Sequence, residues 1–207
     1  MHVCCAPCST YTLEYLTQFA DITVYFANSN IHPKDEYHRR AYVTQQFVSE
    51  FNAKTGNTVQ FLEADYVPNE YVRQVRGLEE EPEGGDRCRV CFDYRLDKTA
   101  QKAVELGFDY FASALTISPH KNSQTINDVG IDVQKVYTTK YLPCGVHSVD
   151  TKSEIVKILH FKQFYKHYVF VEDGEGGRKK VLKNYMDVNV CIDMVCGDTK
   201  NVFESEE

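Results

Sequence analysis

The stretch HVCCAPCST, residues 2–10, puts three cysteines into five positions, and RCRVC, residues 87–91, puts two more three residues apart. Thiolates at such spacings hold zinc or iron–sulfur clusters, or run thiol redox chemistry. The chain carries eight cysteines in 207 residues. In a reducing compartment these do not read as a disulfide framework, so metal or redox chemistry gains weight.

Cys4, Cys5 and Cys8 fall where a short buried strand turns into a helix. The free N–H groups and the dipole at that helix start favour thiolates. Cys88 and Cys91 open another helix and share one face of it, with Arg87, Arg89 and Arg95 around them to favour the charged form. Cys4 and Cys5 from one side and Cys88 and Cys91 from the other are expected to converge on one centre. Four thiolates fit either a structural zinc ion or an iron–sulfur cluster, commonly [4Fe–4S]; a bare thiol site or inert buried cysteines stay open as alternatives. Neighbouring cysteines chelate a single ion poorly yet can reach two irons of a cluster. Cys8 is then spare, either a catalytic or resolving thiol or a helix-start residue packed inward.

The elements that must position these thiols follow from hydrophobic pattern and end signals. Residues 2–5 read as the end of a strand, with Ser9 or Thr10 capping a helix over 10–19 whose Leu13, Leu16 and Phe19 share a face. DITVYFANSN (21–30) is a second strand running into a polar loop. The next helix has Pro33 near its start, acids in its first turn and a stop at Gly56. NTVQFLEAD (57–65) is a third strand, and a short helix over 69–75 leads to an acidic, glycine-containing loop at 79–86. A long helix over 87–107, a strand over 108–118 and a further helix over 122–137 complete the rhythm. Strands alternating with helices predict an α/β fold of three layers, α/β/α, on a mostly parallel sheet: Rossmann-like, and similar to adenine nucleotide hydrolases. Ligands on such sheets bind at the carboxyl ends of the strands, where the loops CCAPCS, NSNIHP and LTISPHK fall.

The formal charge is −7, which argues against a broad nucleic-acid-binding surface but not against a local basic patch. No run of about 18 apolar residues predicts a membrane span, and the first residues do not read as a signal peptide, so no membrane partner and a cytoplasmic location are expected. An ATP-pyrophosphatase-like enzyme would need a glycine-rich phosphate loop after the first strand; Cys-Cys-Ala-Pro-Cys-Ser stands there instead.

Four stretches in order, HVCCAPCS, NSNIHPKDEYHRR, VRGLEEEPEGGDRCRVCFDYRLDKTA and FASALTISPHKN, together resemble the QueH family of epoxyqueuosine reductases over about residues 2–143. The resemblance implies reduction of epoxyqueuosine to queuosine at the wobble position of tRNA, the last step of queuosine synthesis, without cobalamin. It implies a [4Fe–4S] cluster on Cys4, Cys5, Cys88 and Cys91, an additional mononuclear iron beside it, and an unidentified electron donor. Under that reading Arg39, Arg40 and Lys121 are candidates to contact phosphates, Tyr37 or Tyr94 to stack on a splayed base, and His32, His120 or Cys8 to serve as catalytic groups, the histidines as proton donors. The rival reading is a non-enzymatic, zinc-stabilised RNA-binding or scaffold protein.

From Cys144 the pattern departs from the family. The family's Arg-rich stretch and YRQ…YCGC motif are missing, and residues 144–207 read as a helix, a hairpin at Asp173–Gly177 and a polar tail. Either this is a lineage-specific tail or the reading frame changes there. Cys191 and Cys196 are a weak candidate for a substitute redox pair. The expected division is a 1–143 catalytic domain and a divergent 144–207 segment.

Overall fold

The computed structural model describes residues 1–118 and 121–143. Its strands are short and all parallel. β1 (Thr23–Phe26) pairs with β2 (Gln60–Glu63), Tyr25 facing Leu62, and β3 (Tyr110–Phe111) pairs with β4 (Lys140–Tyr141). His2 joins the two pairs, bridging in parallel to Tyr25 on one side and Ser113 on the other. Its backbone N–H donates to Ala112 O at 2.8 Å and its carbonyl accepts from Ala114 N, while Val3 N–H donates to Tyr25 O. The hydrogen-bonded order is therefore β2, β1, the His2 segment, β3, β4. Successive connections run outward one way from the His2 segment and then the other, so a crevice opens at its carboxyl end.

The helices largely follow their sequence signals. α1 spans Ala6–Leu16, earlier than expected: its N-cap is Cys5, and Pro7 presets the first turn. Ser9 and Thr10, expected as caps, lie inside the helix, where their hydroxyls donate back to the Ala6 and Pro7 carbonyls. Leu13 is buried as expected, but the helix stops at Leu16 and Phe19 is 71% exposed. α2 (Lys34–Thr55) ends on Gly56, whose φ of 74° is the left-handed cap a glycine supplies without strain. α3 (Pro68–Val75) and α4 (Asp86–Glu105) bracket the acidic loop. The expected strand over 108–118 is two residues long, because the Ser113 hydroxyl accepts from Leu115 N and turns the chain into a 3-10 helix, Ala114–Ile117. α5 (Ser123–Val133) carries Gly130, where a Cβ would enter the Tyr141 ring, so α5 lies directly on β4. β4 itself was not anticipated; two residues give no readable alternation.

Packing follows the alternation of side chains. Val3, Val24, Leu13, Phe47 and Phe51 form one buried cluster with α1 and α2. Cys4, Cys5, Phe111, Leu96, Leu115 and Ile126 form another with α4 and α5. Successive residues Val3 and Cys4 thus enter different clusters, as the two faces of a strand require. Among the described residues no helix is long and apolar enough to cross a membrane.

Candidate metal centre

Cys4 and Cys5 leave the His2 segment at its carboxyl end, and Cys8 sits in the first turn of α1. Cys4 and Cys5 are 1% and 8% exposed; Cys8 is half-buried. The Cys4 and Cys5 sulfurs are 3.7 Å apart, those of Cys5 and Cys8 3.1 Å apart. All three lie within 4.8 Å of one another, a group able to hold a metal ion. Hydrogen bonds from Cys5 and Cys8, with the Arg95 charge, hold the Cys4 thiol well below its usual range; Cys8 is pushed up by its bonds to Cys4 and Cys5 and by burial.

The scaffold under this group is a buried polar chain. Leu115 N–H donates to Ser113 Oγ, which meets His2 Nδ1 at 3.3 Å; His2 Nε2 meets Asn28 Oδ1 at 3.1 Å, and Asn28 Nδ2 donates to Val3 O. Because the Asn28 amide nitrogen is spent on Val3, its oxygen accepts and Nε2 carries the imidazole proton. Ser113 Oγ, already accepting from Leu115, donates to Nδ1. Burial, reinforced by Arg95, pushes the His2 pKa down to about 3, so the ring is neutral. His2, Asn28 and Ser113 were missed by sequence reasoning. Asn28 and Ser113 had a signal, polar residues where strands end; His2 had none.

Cys88 and Cys91 do not join the 4.8 Å group. Cys88 is half-buried and packs against the cluster holding Cys4 and Cys5, and its sulfur accepts from Gly84 N at 3.3 Å. Cys91 is buried with Tyr71, Val75 and Tyr94. The two thus enter different clusters, although one face of α4 was expected to carry both. Of the three arginines expected around them, Arg87 donates to Glu79 O and Arg89 reaches Asp132 at the surface. Arg95 alone is buried, 2% exposed, with Nε donating to Cys91 O, and its charge reaches Cys4 and His2. All five described cysteines are free thiols, with no disulfide among them.

The other site candidates are spread. Tyr37 is fully buried, its ring packed at a tilt against Phe26 and Tyr66 and its hydroxyl donating to Ala64 O; it is a core residue without a face for a base. Tyr94 is 5% exposed and bonded to Glu70. Arg39 and Arg40 both pair with Glu36, at 3.1 and 2.6 Å. Burial opposes the Arg40 cation, but Glu36 and the Cys5 and Cys4 sulfurs outweigh it and keep it charged. Arg40 thus lies toward the thiols. His32 is half-buried at the entry to α2, and Lys121 is half-buried before α5. His120, Cys191 and Cys196 lie outside the described residues.

The site and scaffold define a parallel α/β protein with a thiol group at the carboxyl edge of its sheet, fit to bind a metal. The comparisons then narrow the class. A family model described as epoxyqueuosine reductase QueH matches residues 1–169. The chain is 59% identical over 182 residues to the epoxyqueuosine reductase QueH of Staphylococcus epidermidis, covering 85% of this chain and 76% of that protein. It is 61% identical over 182 residues to that of Staphylococcus aureus, with the same coverage, and 30% identical over 146 residues to that of Thermotoga maritima, covering 68% of this chain and 70% of that protein. The chain belongs to the epoxyqueuosine reductase QueH family, a family of oxidoreductases. The family match runs to residue 169, past the Pro143 limit expected from the motifs, so the first part of the segment expected to diverge carries family sequence.

Proposed function

We propose that this chain reduces epoxyqueuosine to queuosine in tRNA, in the last step of queuosine synthesis, as a cytoplasmic enzyme. The observation that carries it is the family match over residues 1–169 on a chain whose buried thiols gather at the strand edge. Removing the epoxide oxygen consumes two electrons and two protons and releases water, leaving the ring double bond. The protein supplies no electrons of its own, so an electron donor is required.

The residues fit a [4Fe–4S] cluster by donor chemistry: soft thiols, a helix N-terminus, and two buried guanidinium groups toward an anionic centre. Cys4 and Cys5 would hold it with Cys88 and Cys91; Cys8, within reach of Cys4 and Cys5, is placed to ligate an additional iron. When bound, such a centre supplies single electrons, and an iron with an open position acts as Lewis acid on an oxygen. The chain's own work is positioning: the His2 network fixes the Cys4–Cys5 turn, the cluster with α4 and α5 excludes water, and Arg95 and Arg40 balance charge. His32 and His120 are the proton donors proposed for the leaving oxygen, and Arg39 and Lys121 the contacts proposed for tRNA phosphates. The two side-chain clusters on opposite faces of Val3 and Cys4 support a three-layer Rossmann-like arrangement.

The zinc-scaffold reading draws on one feature. Thiols 3.7 Å apart match the edge of a tetrahedral zinc site, about 3.8 Å for Zn–S bonds of about 2.3 Å. The family match favours the oxidoreductase. The test is nucleoside analysis of tRNA from cells lacking their own reductase and supplied with this gene. Queuosine at the expense of its epoxide is expected; persistent epoxide with the folded protein present contradicts the proposal.

A further inference from the structure

Cys5 and Cys8 carry an inference about the thiol group before a metal fills it. The two close the stretch Cys5-Ala6-Pro7-Cys8 at the start of α1, with Cys5 as its N-cap and Pro7 presetting the first turn. Their sulfurs lie 3.1 Å apart, against 3.7 Å between Cys4 and Cys5. A disulfide bond is about 2.05 Å long, so forming one asks these two sulfurs to approach by roughly 1 Å. All three thiols are free, and the chain holds the reduced form of the pair.

Two features single this pair out within the group. Cys4 and Cys5 are neighbours in sequence, which sets their Cα atoms about 3.8 Å apart across a trans peptide. Disulfides usually span about 4.4–6.8 Å between Cα atoms, so a bond between these neighbours is strained. Two residues separate Cys5 from Cys8, the spacing at which thiols at a helix start exchange readily with a disulfide. Exposure differs as well: Cys4 and Cys5 are 1% and 8% exposed, whereas Cys8 is half-buried. A small oxidant therefore meets Cys8 first, and Cys5 is the thiol in reach to resolve the product.

We infer that Cys5 and Cys8 form a disulfide when the metal-free chain meets a peroxide, and that this bond and the metal centre exclude each other. Hydrogen peroxide transfers one oxygen to Cys8 Sγ, giving a sulfenic acid and one water. Cys5 Sγ then attacks that sulfur; the S–S bond forms, and the hydroxyl leaves with the Cys5 proton as a second water. The two thiols have lost two electrons and two protons, and the peroxide has gained both. A sulfur held in a disulfide has no thiolate to offer a metal, so the bond withdraws Cys5 from the proposed ligand set. It also spares Cys8 the irreversible steps beyond sulfenic acid, and a thiol reductant restores both residues. The exclusion rests on the proposed metal centre; the bond itself does not.

The test uses the full chain, stripped of metal by a chelator under reductant and then treated with hydrogen peroxide. Remaining thiols are alkylated, and the mass is read on the tryptic peptide over residues 1–34, which holds Cys4, Cys5 and Cys8 and no other cysteine. That peptide is expected to lose two hydrogens and to carry one alkyl group, on Cys4. Cys4→Ser should keep the bond, while Cys5→Ser and Cys8→Ser should lose it. Supplied with iron and sulfide, the bonded chain should fail to take up iron until dithiothreitol is added. A peptide alkylated at all three cysteines overturns the inference, as does a bond that persists in Cys5→Ser or Cys8→Ser or disappears in Cys4→Ser. Iron uptake equal in the bonded and reduced chains overturns the exclusion. No uptake by the reduced chain would instead overturn the proposed metal centre, and the peptide mass would still decide the bond.

Discussion

The two cysteine-bearing segments are held by opposite means. Cys4 and Cys5 follow a residue tied by backbone hydrogen bonds on both sides and by its own imidazole to the ends of both neighbouring strands. Cys88 and Cys91 lie on a helix that follows an acidic loop, with Cys88 half-buried and held by one backbone N–H from that loop. On the proposed ligand set, Cys4 and Cys5 would be held from the sheet and Cys88 and Cys91 from a helix start. Local stability tracks buried contacts, so Cys4 and Cys5 are pre-organised, Cys91 is fixed among Tyr71, Val75 and Tyr94, and half-buried Cys88 is the thiol of that pair with freedom to adjust.

The largest effect that can break this comparison is loss of the centre. Cys4→Ser and Cys5→Ser should abolish bound iron in anaerobically purified protein, since a missing ligand removes metal affinity. Cys88→Ser and Cys91→Ser should do the same if the helix delivers ligands. A Cys88→Ser protein with full iron and a Cys8→Ser protein without it would place the centre wholly on Cys4, Cys5 and Cys8 at the strand-to-helix turn.

Next in size is the pH response of the sheet-built half. In the metal-free chain folded His2 takes a proton only near pH 3, whereas an unfolded histidine does so near pH 6.5. Between these values the unfolded state binds the extra proton, so stability falls as pH drops from about 6.5 toward about 3, by up to about 5 kcal/mol. Denaturant titrations of the metal-free chain across this range should show the slope, and His2→Gln should flatten it.

Ser113→Ala should cost about 1–2 kcal/mol, because Leu115 N–H and His2 Nδ1 both lose a buried partner. The smallest effect belongs to the helix-borne half's surface. Arg89 and Asp132 are each about half exposed, and Arg89→Ala should change unfolding free energy by less than about 1 kcal/mol and leave bound iron unaltered. A large loss of iron in Arg89→Ala would return the surface arginines to the centre.

Much of this was legible in the chain. The alternation of helix and strand, the Gly56 stop and the thiol-bearing strand-to-helix turn all rest on local rules that the fold did not override. What escaped reading was set by tertiary contact. Tyr37 has the residue type and helix-start position of a base-stacking group, and only the packing of Phe26 and Tyr66 around it reveals a core residue. Pro7 preset a helix start ahead of Ser9, so the expected caps became interior hydroxyls. The separation of Cys88 from Cys91 depends on α3, whose Tyr71 and Val75 bury only the second. His2 gave no sign of its role, because a histidine acquires one from neighbours that arrive 26 and 111 residues later.

The account stands or falls on what the gathered thiols hold. Iron, inorganic sulfide and zinc measured on the unmutated chain purified without oxygen address this most directly. The account predicts a coloured protein with about four irons or more and matching sulfide; a colourless protein with one zinc per chain and no sulfide would contradict it.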